Sequence, residues 1–155
     1  MVAAGQHLYY GSSETYEIRV FDLRGRLQRI IRRSVPDAPV TAKDIAEFRE
    51  YFLEGSKPTS WERRRVNDLE YPETKPAYGT VTVDALGDVW VAEPSVSRRD
   101  RAGRWTVFDP EGRMLGVVDV PPDGLLNDIG DDYLIGTWRT DLGVEQVRVY
   151  RLVKK

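Results

Sequence analysis

The residues of this chain best suited to binding chemistry are arginines that stand near tryptophans. Guanidinium groups hold carboxylates and phosphates through paired hydrogen bonds, and they stack on aromatic rings. Six residues would form such a surface: Trp61, Arg98, Arg99, Arg101, Trp138 and Arg139. If the fold gathers their loops on one face, they would hold a small acidic ligand or an acidic patch of a partner protein.

A simpler interpretation of these arginines, and the one that the sequence favours, is a set of ordinary solvated loops. Acidic residues stand nearby along the chain and would pair with the arginines: Glu62, Asp100 and Asp141. Exposed ion pairs contribute little free energy and do not mark a site. Both interpretations stay open from the sequence alone.

The residue types that nucleophilic catalysis needs are nearly absent. There is no cysteine, and His7 is the only histidine. A lone histidine at the start of a predicted strand is more often structural than catalytic, and the G-x-S-x-G turn of serine hydrolases does not occur. We therefore assign no catalytic residue and favour a function other than catalysis.

Composition narrows the class of partner. The 155 residues include 23 basic and 25 acidic side chains, which gives a formal net charge of −2 and argues against a nucleic-acid partner. No apolar run approaches the roughly 20 residues that span a bilayer. The first residues, MVAAGQHLYYG, lack a basic stretch followed by an apolar one, so we expect no export signal in this sequence.

A repeated motif defines the elements that must position these residues. Residues 18–33 read IRVFDLRGRLQRIIRR, residues 105–120 read WTVFDPEGRMLGVVDV, and VRVYRLVKK at 147–155 repeats the first half. The second and third copies place their central valines, Val107 and Val149, 42 positions apart. That spacing is typical of a β-propeller blade.

Two turns within the motif could be mistaken for metal-binding loops. Asp22 precedes Gly25, and Asp109 precedes Gly112, in the same place of each copy. In an Asp-x-x-Gly turn the carboxylate accepts backbone N–H groups and the glycine adopts a positive φ. We therefore interpret all four as turn residues.

Short apolar or alternating runs that end in turn residues predict β-strands. The runs are His7–Tyr10, Tyr16–Phe21, Arg26–Arg32, Gly79–Asp84, Asp88–Glu93, Trp105–Phe108, Arg113–Val120, Leu125–Ile129, Tyr133–Trp138 and Glu145–Leu152. They fall into sets of three, four and three. Within the second set, the consecutive residues 89–91 (Val-Trp-Val) predict a strand that is buried on both faces.

Between the first and second sets, about residues 37–71 predict a two-helix insert. Thr41 and Asp44 suit the start of the first helix, and residues 59–62 (Thr-Ser-Trp-Glu) fit a capping box that opens the second. Gly55 suits the end of the first helix. An apolar stripe is expected to dock that helix on the sheets: Ile45, Phe48 and Phe52.

Three segments carry a family resemblance. Residues 84–91 (DALGDVWV) and 105–113 (WTVFDPEGR) resemble the strands of a blade in six-bladed β-propellers of the NHL/TolB-like type. Residues 134–152 are similar to the C-terminal blade of a bacterial subgroup that carries a helical insert. The resemblance implies an all-β fold: a partial β-propeller of about two and a half four-stranded antiparallel blades with the insert, as one domain over 1–155.

A complete six-bladed ring needs about 250 residues at ~42 per blade, so the chain looks like the C-terminal half of such a protein. One expectation is that two chains associate to complete a ring. Another is that the chain is a fragment of a larger propeller with no independent function. Because relatives in the subgroup look exported, the resemblance implies a location outside the cytoplasm for a parent that carries a signal.

The function favoured by these observations is a non-catalytic interaction or ligand-binding module. The alternative implied by the resemblance is a metal-dependent hydrolase or lyase of the lactonase-like propeller type, which binds a divalent ion through Glu, Asn and Asp side chains. Glu93 and Asn127 match that ligand chemistry best, and Ca²⁺ is the ion that such oxygen ligands suit. Their spacing is not diagnostic, so we assign no metal site and no cofactor.

Overall fold

The computed structural model describes residues 1–53, 58–94, 103–121, 124–140 and 142–153. Its strands form three antiparallel sheets that follow one another along the chain. Sheet 1 contains β1 (Val2–Ala4), β2 (His7–Tyr10), β3 (Glu17–Asp22) and β4 (Leu27–Arg32). Sheet 2 contains β5 (Val81–Val83), β6 (Val89–Ala92), β7 (Arg104–Phe108) and β8 (Met114–Asp119). Sheet 3 contains β9 (Gly124–Ile129), β10 (Tyr133–Arg139) and β11 (Glu145–Arg151).

The all-β prediction is confirmed, and each predicted strand is present with its ends shifted by two residues or fewer. One strand was missed, so the sets contain four, four and three strands instead of three, four and three. The missed strand, β1, is short and contains two alanines, which are poor strand formers. Its pairing with β2, from Val2 opposite Tyr9 to Ala4 opposite His7, places it in the sheet.

Sheet 2 lies between the other two sheets, and successive side chains along its strands point alternately into two cores. Val89, Val91 and Phe108 pack in one cluster with residues of sheet 1 such as Ile18 and Val20. In a second cluster, Trp90, Trp105 and Val107 of sheet 2 meet Ile129, Leu134 and Trp138 of sheet 3. The predicted burial of β6 on both faces is confirmed, because residues 89–91 are each 1% exposed.

The repeated turns have the predicted geometry. Asp22 accepts the backbone N–H groups of Arg24 and Arg26 on one carboxylate oxygen, and Gly25 has a φ of 76°. Asp109 accepts the backbone N–H of Arg113 in the same way. Each of the two hairpins also carries a β-bulge at the same place of the motif, next to Val20 in one and Val107 in the other. The repeat therefore extends from the residue types to the backbone.

The predicted insert contains two helices, α1 (Ala42–Leu53) and α2 (Ser60–Asn67). The predicted capping box is confirmed: Thr59 accepts the N–H of Glu62, whose carboxylate accepts the N–H of Thr59. A short stem closes the insert, in which Pro39 pairs with Thr74 across an isolated antiparallel bridge. Gly55 lies outside the described residues. Among the described residues, neither helix has the length and apolar character that crossing a membrane requires.

The aromatic side chains of α1 pack within the insert. The Phe48 ring lies 4.7 Å from the Phe52 ring and 5.9 Å from the Tyr71 ring, between centroids. Phe52 is 54% exposed. In place of the expected docking on the sheets, these described ring contacts join α1 to the segment that returns to the stem.

Candidate interaction surface

Trp138 occupies the core and not the surface predicted for it. It is 2% exposed, its indole N–H donates to the Pro121 carbonyl at 3.1 Å, and its ring lies edge-on to Tyr150. Gly124 and Gly136 leave room for the indole, since a Cβ at either position would overlap the ring. The strand alternation of β10 turns the side chain towards sheet 2, so we remove Trp138 from the candidate ligand-binding surface.

The other predicted binding residues are exposed or lie outside the described residues. Trp61 is exposed on α2, where the Arg65 guanidinium stacks over its ring at 5.3 Å. Arg139 pairs with Glu145 across the β10–β11 hairpin at 3.0 Å. Arg98, Arg99 and Arg101, like the expected partners Asp100 and Asp141, lie outside the described residues. The described contacts of Trp61 and Arg139 are thus made within their own helix and hairpin.

The two residues considered for a metal site lie on different sheets. Glu93 is an exposed residue directly after β6, and Asn127 is an exposed residue of β9. The Asn127 side-chain oxygen accepts the hydroxyl of Thr137 at 3.0 Å. Over the described part of the chain, no three His, Cys, Asp or Glu side chains cluster in a way that could hold a metal ion.

The three sheets can be compared position by position through the residue pairs that join the second and third strands of each sheet. Val20 lies opposite Tyr9, Val107 opposite Trp90, and Val149 opposite Ile135. We call the side of each sheet that carries these pairs its forward face. Each forward face also carries the residue two positions before the valine, because alternate residues of a strand share a face. The three central forward residues of each sheet are therefore these: Tyr9, Ile18 and Val20 in sheet 1; Trp90, Trp105 and Val107 in sheet 2; Ile135, Val147 and Val149 in sheet 3.

The forward faces differ in whether another sheet covers them. In sheets 1 and 2 the central forward residues are between 1% and 7% exposed, because each face packs on the next sheet. In sheet 3, Val147 is 73% exposed and Val149 is 65% exposed. The same repeat positions that form two buried junctions inside the chain are therefore open on sheet 3.

Sheet 1 has an exposed face on the side that faces away from sheet 2. We call the side of each sheet that faces away from the forward face its rear face. The rear face of sheet 2 is buried, and its central residues are Val89, Val91, Thr106 and Phe108. The positions that match them in sheet 1 by strand register are Leu8, Tyr10, Arg19 and Phe21. Leu8 and Phe21 are half-buried, Tyr10 is 49% exposed and Arg19 is exposed, so no sheet among the described residues covers this rear face.

Ion pairs lie on both open faces. On sheet 1, Glu17 accepts hydrogen bonds from Arg32 and Arg19, and these bonds lower the pKa of the Glu17 carboxyl. On sheet 3, the Arg139–Glu145 pair lies at one end of the β10–β11 hairpin. Apolar side chains beside paired charges are typical of protein–protein interfaces.

A polar contact within the junction between sheets 1 and 2 shows how a charge is accommodated there. The Arg33 guanidinium donates to the Thr106 hydroxyl at 2.9 Å and lies over the Tyr16 ring at 5.7 Å. Burial raises the pKa of the Tyr16 phenol above its ordinary value, and the neighbouring Thr106 and Arg33 partly offset this effect. The junction therefore combines an apolar centre with one cation held against a ring.

Sequence reasoning missed the open faces although the signal was present. The third copy of the motif, VRVYRL at 147–152, aligns Val147 with Ile18 and Val149 with Val20. The alignment predicts the same side-chain direction, but it does not say whether a further sheet covers the residues. Comparison with known protein families, with curated proteins and with solved structures gave no match.

Proposed function

We propose that this chain is a non-catalytic interaction module of the partial β-propeller type, and that its binding surface is the open forward face of sheet 3. The observation that carries the proposal is the exposure of Val147 and Val149 at positions whose repeat equivalents are buried in both other sheets. A repeat unit that cannot bury its apolar face alone is stabilised by stacking on a neighbour.

The propeller arrangement is supported by the order of the sheets. Each sheet is built from strands that are consecutive in the chain and paired antiparallel, as in a propeller blade. The first strands of sheets 1 and 2, β1 and β5, lie in contact, and so do the faces of these sheets. These features support blade-like stacking, in which every blade except an uncovered terminal one buries both faces.

The exposed side chains on sheet 3 also have the character of a binding surface. Leu125, Val147 and Val149 are each close to half exposed or more, and Leu125 and Val147 both lie opposite Thr137 in the sheet. Contiguous exposed apolar residues on one face, with polar residues around them, are typical of protein interaction sites. Complete burial of an exposed aliphatic side chain is worth about 1.5–3 kcal/mol, and covering these partly exposed residues would contribute a part of that each.

A photo-crosslinker at Val147 tests the proposal. Val147→p-benzoylphenylalanine is irradiated in purified protein and in extract of the source cells, with Leu86→p-benzoylphenylalanine as the control. Leu86 is comparably apolar and 53% exposed, but it lies in the turn between β5 and β6. We expect a discrete protein adduct from position 147 that Val149→Lys removes, and none from position 86. Equal labelling from both positions, or no adduct from 147, would contradict an interaction function of this face.

A further inference from the structure

We infer that the partner of the open forward face of sheet 3 is the open rear face of sheet 1 in a second copy of this chain. The inference rests on the proposed interaction function and adds the identity of the occupant. Its basis is that one chain carries both halves of a junction that it already makes twice internally, between sheets 1 and 2 and between sheets 2 and 3.

The first step is the match of the forward faces. At the junction of sheets 1 and 2, the forward face presents Ile18 and Val20, which are 1% and 2% exposed. Sheet 3 presents Val147 and Val149 at the same register positions. Since β-branched aliphatic side chains stand at both positions in both sheets, the face of sheet 3 has the shape and chemistry of one that already packs on a sheet.

The second step is the match of the rear faces. The forward face of sheet 1 receives Val89, Val91 and Phe108 of sheet 2. The rear face of sheet 1 presents Leu8, Tyr10 and Phe21 at the matching positions, and Arg19, which is paired with Glu17, stands where sheet 2 has the buried Thr106. Phe21 matches Phe108, and the aliphatic Leu8 matches the aliphatic Val89. Tyr10 is 49% exposed and matches Val91, which is 1% exposed, so a second copy that covered this face would bury much of Tyr10.

The internal junctions also fix the direction in which sheets pack. Forward-on-rear contacts occur at both junctions inside the chain, and neither internal junction joins two forward faces. A head-to-tail contact between copies would continue this arrangement with the same partners. Such a contact is heterologous, so two chains that close on each other would share two identical junctions.

A complementation experiment by sedimentation velocity tests the inference. Val149→Lys disables the forward face of sheet 3, and Tyr10→Glu disables the rear face of sheet 1. Both side chains are at least 49% exposed, so both variants are expected to fold, which circular dichroism checks. Leu86→Lys, at an exposed turn, is the matched control.

We expect the wild type and Leu86→Lys to sediment as complexes of two chains or more, and each face variant alone as a single chain. An equimolar mixture of Val149→Lys and Tyr10→Glu retains one junction with two intact faces, so complexes return in the mixture. If Tyr10→Glu alone stays associated while Val149→Lys dissociates, forward faces pair with each other and the inference is wrong. A wild type that is a single chain at all concentrations also overturns it.

These outcomes separate the inference from the proposed function. If the chain does not associate with itself but the crosslinker at Val147 still gives a Val149-dependent adduct with a different protein, the face is an interaction surface with another occupant. If neither self-association nor a position-dependent adduct is found, both fail.

Discussion

Gly112 shows how a single residue of the repeat serves both its own hairpin and the neighbouring sheet. Its φ of 85° is in the left-handed region, which the turn after β7 requires. A Cβ at this position would lie 3.1 Å from the Cγ1 atom of Ile31 in sheet 1. The turn was predictable because it depends on neighbours in sequence, whereas the contact with Ile31 depends on how the sheets stack.

Gly112→Ala is therefore expected to lower the free energy of unfolding by about 1–2 kcal/mol, because an L-residue is strained at this φ and Ile31 must move. Urea unfolding monitored by tryptophan fluorescence measures the change. Gly116→Ala is the control, since Gly116 lies in β8 with open space around the added Cβ. It is expected to leave stability unchanged or to raise it by about 0.5 kcal/mol. Equal losses in both variants would contradict the turn account.

Trp138 shows where residue-level prediction failed. A tryptophan beside an arginine near a turn suggests an exposed binding pair, and Trp138 next to Arg139 fits that pattern. The structure buries the indole against Tyr150 and leaves Arg139 exposed, because adjacent residues of a strand face opposite sides. Which side is covered depends on sheet 2, and no local pattern around residue 138 contains that information.

At the scale of elements, strands and helices were predictable where local chemistry decides them. The strands follow from alternation and turn residues, and α2 follows from its capping box. β1 was missed because its formation depends on pairing with β2 more than on its own residues. The same dependence on distant contacts applies to the insert, where Lys75 of the returning segment reaches Asp44 at the start of α1.

The Asp44 carboxylate gives the insert a measurable pH dependence. A hydrogen bond from the Lys75 ammonium, followed by those from Thr41, lowers the pKa of Asp44 from 3.8 to about 2. Because the folded-state pKa is the lower one, the stabilisation is complete above pH 3.8 and is lost as the pH falls towards 2.

We expect the urea midpoint of the wild type to fall more steeply between pH 4 and about 2 than that of Asp44→Asn, measured by circular dichroism of the helices. Glu47→Gln is the control, since it removes a carboxylate from the same helix whose ion pair with Lys43 is exposed. If Asp44→Asn and the wild type show the same pH slope, the Lys75–Asp44 contact does not stabilise the insert in solution.

At the scale of the whole molecule, the described residues form three sheets in series with two covered junctions, and the two outer faces of the series are exposed. The repeat in the sequence predicts the units and the direction of their side chains. It does not predict that sheet 2 is covered on both sides while the forward face of sheet 3 and the rear face of sheet 1 are open, because covering is a property of the assembly. The central question for this molecule is therefore whether a second copy covers Val147 and Val149.

The solution mass, measured by light scattering over a concentration series, tests this claim most directly. We expect the mass to rise from that of one 17.7 kDa chain to twice that value as the concentration increases, and Val149→Lys to remove the rise. A mass of one chain at every concentration, for the wild type as for Val149→Lys, would contradict the claim that a second copy covers the open face.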